Sequence, residues 1–187
     1  MNTNKTIGFD LDGVIVDHTD LKIKLAKGKG FELTPKETHS NIIRKILPSD
    51  ILKDIQNEIY CKNNDQPLLV GAFETIKKIK ENNIRYFLIS RRRTGDAKER
   101  ALEVMKNRGL WPEYFNEKNV YFVETPEKKN ETAKKLGVTH YIDDEIDVLE
   151  IMKNVPNRFL FDSFDNFKNN SEFKRLVNWK EVSAIIL

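Results

Sequence analysis

Short apolar runs alternate with helical periodicity along most of this 187-residue chain, in the order strand, helix, strand, helix. Strands are expected at Thr6–Leu11, Ile84–Ile89, Val120–Val123, His140–Ile142 and Arg158–Phe161. Helices are expected at Gly71–Glu81, Asp96–Asn107, Pro126–Leu136, Glu145–Lys153 and Trp179–Ile186, with Gly109 and Gly137 closing two of them. Strands separated by single helices predict a parallel, doubly wound α/β sheet with helices on both faces.

One stretch breaks the rhythm. Between Asp17 and Pro67 there is helical patterning and no strand. Thr34-Pro35-Lys36-Glu37 reads as a capping box with Pro at the first helical position, ahead of Ile42, Ile43, Ile46 and Leu47. Pro48 ends that helix, and Ile51, Leu52, Ile55 and Ile59 form the apolar stripe of the next. The chain is therefore expected to divide into a core of residues 1–16 and 68–187 and a small all-helical insertion of residues 17–67.

Composition narrows the class. Hydrophobic residues at 39% can build a core, and no apolar run approaches the ~20 residues of a membrane span. The opening residues lack a signal-peptide apolar region, and Cys61 alone gives neither a disulfide framework nor a paired-cysteine metal site, so a reducing cytoplasm is the expected setting. A net charge of +3, mixed in sign, suits a small anionic partner and falls short of a nucleic-acid footprint. Oligomeric state leaves no mark in the sequence.

The chemistry collects at strand ends. Asp10 and Asp12 close the first strand, and on a strand two residues apart they share a face. Ligands of open α/β sheets bind at the carboxyl ends of strands, and Gly13 supplies the turn away from that edge. Ser90 follows the strand Ile84–Ile89, closing the run Arg85-Tyr86-Phe87-Leu88-Ile89-Ser90 with a hydroxyl able to donate to a phosphoryl oxygen. Asp143 and Asp144 end another strand, and acids from two strand ends can share one hard cation such as Mg²⁺. Lys128 and Lys129 stand in the first turn of a helix, where cations oppose the helix dipole, so one of them is expected to serve the strand-end cluster. Four carboxylates would repel a phosphate unless a divalent cation and a lysine offset them.

Asp10-Leu11-Asp12-Gly13-Val14, Ser90, Lys129 and Asp143-Asp144, in this order, resemble the motifs of the haloacid dehalogenase (HAD) superfamily, over the whole chain except the helical insertion. The resemblance implies a Rossmann-like core and a Mg²⁺-dependent phosphatase. Asp10 would attack phosphorus and carry an aspartyl-phosphate; Asp12 would protonate the leaving oxygen and then activate water. Ser90 and Lys129 would hold the transferring group. Asp10, Asp144 and the Asp12 carbonyl would ligate Mg²⁺, with Asp143 assisting. The helical insertion is similar to the mobile cap of that family, a lid over small substrates. A fainter similarity to the 5′(3′)-deoxyribonucleotidase branch makes nucleoside monophosphates the first substrate class among small phosphorylated metabolites. A phosphotransferase or phosphomutase on the same site, and a phosphate-binding protein without turnover, are the alternatives.

Of Arg91-Arg92-Arg93, Arg91 is expected to reach substrate, since guanidinium suits bidentate oxyanion contacts. Lys22 is read as part of a solvated helix face, and His18, His39 and His140 as structural or exposed.

Overall fold

The structure, a computed structural model, describes residues 5–93, 95–168 and 172–187, so the opening residues 1–4 lie outside it. Its strands are β1 (Thr6–Phe9), β2 (Arg85–Arg91), β3 (Val120–Val123), β4 (His140–Asp143), β5 (Asn157–Phe161) and β6 (Lys174–Leu176). They form one sheet in the order β3-β2-β1-β4-β5-β6, and every neighbouring pair is parallel. The strand order reverses at β1, so the crevice between β1 and β4 is the switch point at which doubly wound sheets bind ligands.

The helices are α1 (Thr19–Gly28), α2 (Ser40–Ile46), α3 (Ser49–Asn57), α4 (Ala72–Glu81), α5 (Gly95–Asn107), α6 (Pro126–Leu136), α7 (Ile146–Ile151) and α8 (Trp179–Ile186). Strand alternation separates two cores. Ile7 and Phe9 of β1, with Leu88 of β2, pack with Ile76, Met105 and Trp179 of α4, α5 and α8. Phe87 and Ile89 point the other way, to Ala133 and Leu149 of α6 and α7. Gly8 lies on that second side because a Cβ there would come within 2.4 Å of the buried Tyr141 ring. Trp179 lies tilted against Phe9 and donates its indole N–H to the Val14 carbonyl at 2.7 Å, fixing the last helix beneath the first turn after β1.

The helical stretch holds its own apolar cluster, with Ala26, Leu33, Ile43, Leu47, Ile55 and Ile59 buried together. It leaves and rejoins the sheet side by side: Asp17 N–H donates to Pro67 O at 2.8 Å, and Leu69 N–H to Ile15 O at 2.9 Å.

Four local expectations are corrected. The capping box of Thr34 and Glu37 exists, but it opens a short 3₁₀ turn, Pro35–Thr38; His39 is extended and α2 starts afresh at Ser40. The helix expected from Glu145 to Lys153 is the shorter α7. The edge strand β6 was missing from the sequence pattern, because only three residues pair and just Leu176 is buried. Finally, β1 stops at Phe9, and the chain turns tightly through Leu11–Val16, with Ile15 and Val16 N–H both donating to Leu11 O at 2.9 Å. Asp12 therefore lies in a turn, and strand alternation does not decide where its carboxylate points.

Candidate active site

Asp10 follows β1 directly, and its N–H still donates to Ile142 O of β4 at 3.0 Å. That pairing carries its side chain to the β1–β4 crevice, where Asp143 ends β4 and Asp144 follows. Asp10, Asp143 and Asp144 are all buried, and each offers a carboxylate oxygen within 4.8 Å of the others'. Lys129, in the first turn of α6 and also buried, donates to Asp10 at 2.9 Å and to Asp143 at 2.7 Å. Lys128 is exposed and pairs with Glu131 at 2.8 Å. Of the two lysines only Lys129 turns back over the N-terminal end of α6.

The charges are unbalanced. Burial and the neighbouring Asp10 push the Asp143 carboxyl up to about 7 despite Lys129. Burial, with Asp143, Glu145 and Asp10 beside it, pushes Asp144 well above the carboxylate range. Burial alone would lower the Lys129 ammonium, but Asp10 and Asp143 outweigh it and hold it well above its ordinary value. Within the cluster itself, three ionised carboxylates and the Lys129 ammonium leave two negative charges, which Lys22 opposes from the helical stretch at Asp144.

The donor set fits Mg²⁺. It is all hard oxygen, and octahedral oxygens around Mg²⁺ stand roughly 3–4 Å apart, so three already within 4.8 Å need only side-chain adjustment. A divalent cation would also supply the missing positive charge.

Ser90 is 1% exposed and its hydroxyl has no hydrogen-bond partner among the described residues. A buried hydroxyl without a partner is a group waiting for one. It lines the same cavity of about 300 Å³ as Asp10 and Lys129, roofed by Lys22, Ser40 and Tyr60 of the helical stretch. The cavity is at the small end of ligand sites.

Asp12 has different company. Arg92 grips both its oxygens at 2.8 and 2.7 Å, and His18 Nε2 meets it at 2.7 Å. Burial works to raise the Asp12 carboxyl, but Arg92 and His18 together hold it well below its ordinary range. Arg92 itself lies over the Tyr60 ring, its guanidinium carbon 4.8 Å from the centroid. Arg91 is half-buried at the cavity edge, 3.5 Å from Glu145.

Arg92, His18, Lys22 and Ser40 were not singled out for the site from sequence. For Arg92 a signal existed: residues two apart on a strand share a face, so Arg92 and not Arg91 extends the Ser90 side. His18, Lys22 and Ser40 belong to the helical stretch, and only the tertiary fold brings them over the sheet. Asp17 accepts from Thr19 N–H at 2.8 Å and Asp147 pairs with Arg44 at the surface, so neither joins the cluster.

No protein-family model matches the chain, and no curated protein matches it in sequence. Solved structures do match in fold. A HAD-superfamily hydrolase from Ehrlichia chaffeensis superposes with a TM-score of 0.63 at 15% identity, over 100% of this chain and 97% of that one. A HAD family hydrolase from Deinococcus radiodurans R1, solved with bound phosphate and sodium, gives 0.63 at 13% identity over 97% and 94%. A candidate HAD hydrolase, YfnB of Bacillus subtilis, solved with magnesium, gives 0.62 at 13% identity over 97% and 98%. This chain has the α/β fold that those hydrolases share.

Proposed function

We propose that the chain is a Mg²⁺-dependent phosphatase that hydrolyses a small phosphomonoester through an aspartyl-phosphate on Asp10. The observation that carries this reading is the buried set of Asp10, Asp143 and Asp144 at the switch point of the sheet, with Lys129 bonded to two of them. The phosphate and the magnesium reported with the Deinococcus radiodurans and Bacillus subtilis proteins support it by analogy of fold.

Asp10 and Asp144, with the Asp12 carbonyl and Asp143 beside them, would hold the cation, whose chemistry when bound is to neutralise and orient the phosphoryl oxygens. Lys129 and the Ser90 hydroxyl, which has no partner among the described residues, hold those oxygens as well, by charge and by hydrogen bond. Asp10 attacks phosphorus, and the bond to the leaving alkoxide breaks. Water then attacks the phosphorus of the acyl-phosphate, releasing phosphate and restoring the Asp10 carboxylate. Asp12 serves both halves: it gives a proton to the leaving oxygen and takes one from the attacking water. In the resting arrangement Arg92 and His18 keep it ionised, the form needed for the second half. The first half needs its proton, so the reading requires that hold to loosen once substrate is in place.

The helical stretch from Asp17 to Pro67 acts in this reading as a lid that closes the cavity, with Lys22, Ser40 and Tyr60 as its inner face. Arg91 meets the substrate body at the rim. The small cavity suits a metabolite and not a polymer, and nucleoside monophosphates are the first class to assay.

The test is a panel of phosphomonoesters assayed for phosphate release with Mg²⁺ and with excess chelator, without an added acceptor alcohol. Release from at least one ester, lost on chelation, is the expected result. Full release in chelator would remove the metal from the mechanism, and turnover only with an acceptor would make the chain a phosphotransferase.

A further inference from the structure

Of the acids in the cluster, Asp144 receives a hydrogen bond from the helical stretch. Ser40, the first residue of α2, donates its hydroxyl to Asp144 Oδ2 at 2.7 Å across 104 residues of sequence. Its neighbour Asn41 is buried and accepts from Ile146 N–H at 3.1 Å, two residues beyond Asp144. Arg44, one turn along α2, reaches Glu145 at 3.4 Å and Asp147 at 2.6 Å. The N-terminal turn of α2 is therefore fastened along the whole loop that leads from β4 into α7. The same oxygen is hemmed in by the turn after β1 as well: a Cβ on Gly13 would lie 2.6 Å from Oδ2 and 2.7 Å from the carboxyl carbon of Asp144.

We infer that Ser40 is a positioning residue for the metal site: the helical stretch, through Ser40, sets the orientation of the carboxylate of Asp144. The inference rests on the reading of Asp144 as a cation ligand. A carboxylate whose Oδ2 is held by a hydroxyl donor and crowded by the Gly13 backbone keeps its other oxygen for a cation. Partners behind metal ligands act in this way, fixing the ligand so that little rotational freedom is lost on binding, and their removal typically weakens metal affinity about 10–100-fold. The lid and the metal are thereby linked. A segment that leaves the sheet at Asp17 and returns at Pro67 supplies a contact on which cation affinity depends, so displacing α2 weakens the cation site, and a bound cation favours the docked lid.

The experiment is direct binding of Mn²⁺, an oxygen-seeking stand-in for Mg²⁺, to the full chain, followed by the electron paramagnetic resonance signal of the free ion and by Mg²⁺ competition. Ser40→Ala should raise the dissociation constant about tenfold or more, while Ser40→Thr, which keeps the hydroxyl, should stay within about threefold of wild type. Ser40→Cys, similar in size with a weaker donor, should fall between them, and it carries the test should the alanine variant not fold. Thermal unfolding of the metal-free variants should match wild type. Wild-type affinity in both Ser40→Ala and Ser40→Cys would overturn the role of Ser40. Failure of the wild-type chain to bind Mn²⁺, or binding untouched by Asp144→Asn, would instead overturn the metal reading on which it stands.

Discussion

Lys129 and Asp10, 119 residues apart in the chain, are joined by a buried hydrogen-bonded ion pair of 2.9 Å. The same ammonium reaches Asp143 at 2.7 Å, so one side chain ties the end of β1 to the end of β4. Breaking a buried pair by removing one partner leaves the other charge uncompensated, which costs about 3–5 kcal/mol. Lys129→Met should therefore destabilise the metal-free protein by an amount in that range and lower phosphatase turnover at least about a hundredfold. Lys128→Met, on the exposed side of the same turn, should leave melting temperature and turnover as they are. Chemical denaturation and a turnover assay on the two variants check this; damage from Lys128→Met instead would reassign the lysine.

Gly13 carries the turn after β1 at a φ of +76°, where a side chain is strained by about 1–2 kcal/mol, and its missing Cβ is where Asp144 sits. Gly13→Ala should lower both stability and cation affinity. Gly8→Ala also meets an obstacle, the buried Tyr141 ring at 2.4 Å and Val138 behind it, but none of the atoms it meets is a carboxylate, so its effect should fall mainly on stability. Calorimetric unfolding with and without Mg²⁺ separates the two: the Mg²⁺-induced rise in melting temperature should survive in Gly8→Ala and shrink in Gly13→Ala.

His39 gives the fold a pH dependence outside the acid cluster. Burial against Phe167 holds its imidazole down to about 4 from an ordinary 6.5, with Asp162 opposing and Lys22 adding to the shift. Between these values the unfolded chain binds more protons than the folded one, so stability rises with pH. The contribution is intact above pH 6.5 and is lost as pH falls towards about 4, a total of about 3 kcal/mol. His39→Asn keeps an acceptor for the Asn41 N–H without titrating, and should flatten that part of the curve. Denaturant midpoints of both proteins from pH 7 to 4 measure the difference; parallel curves would remove His39 as its source.

Much of the fold could be read from periodicity. Pro126–Leu136 and Trp179–Ile186 form helices with the expected bounds, because Thr125 and Asn178 cap their starts and Gly137 takes the left-handed conformation after the first. The strands β3 to β5 lie within a residue of their apolar runs. What escaped was what depends on partners. β6 is a strand only because Phe159 to Phe161 offer it an edge. Asp12 was placed by strand alternation, whereas the chain leaves the strand before it, and a buried arginine and histidine decide where it points. The sequence brought Asp10, Asp143, Asp144, Ser90 and Lys129 to strand ends or to the N-terminal turn of a helix, and these gather around one cavity. The contributions of Ser40, Lys22 and His18 come from a helical stretch with no periodicity relating it to the sheet, so nothing local could register them.

Every role assigned to the cluster depends on phosphorylation of Asp10 during turnover. Rapid quenching of the protein with a hydrolysable phosphomonoester and Mg²⁺, followed by borohydride reduction and peptide mass spectrometry, reads it at the residue. Reduction of an acyl-phosphate should convert Asp10, and no other acid of the cluster, to homoserine, and the Asp10→Asn variant should show neither the product nor turnover. Turnover that proceeds with Asp10 unmodified, or that persists in Asp10→Asn, would contradict the account.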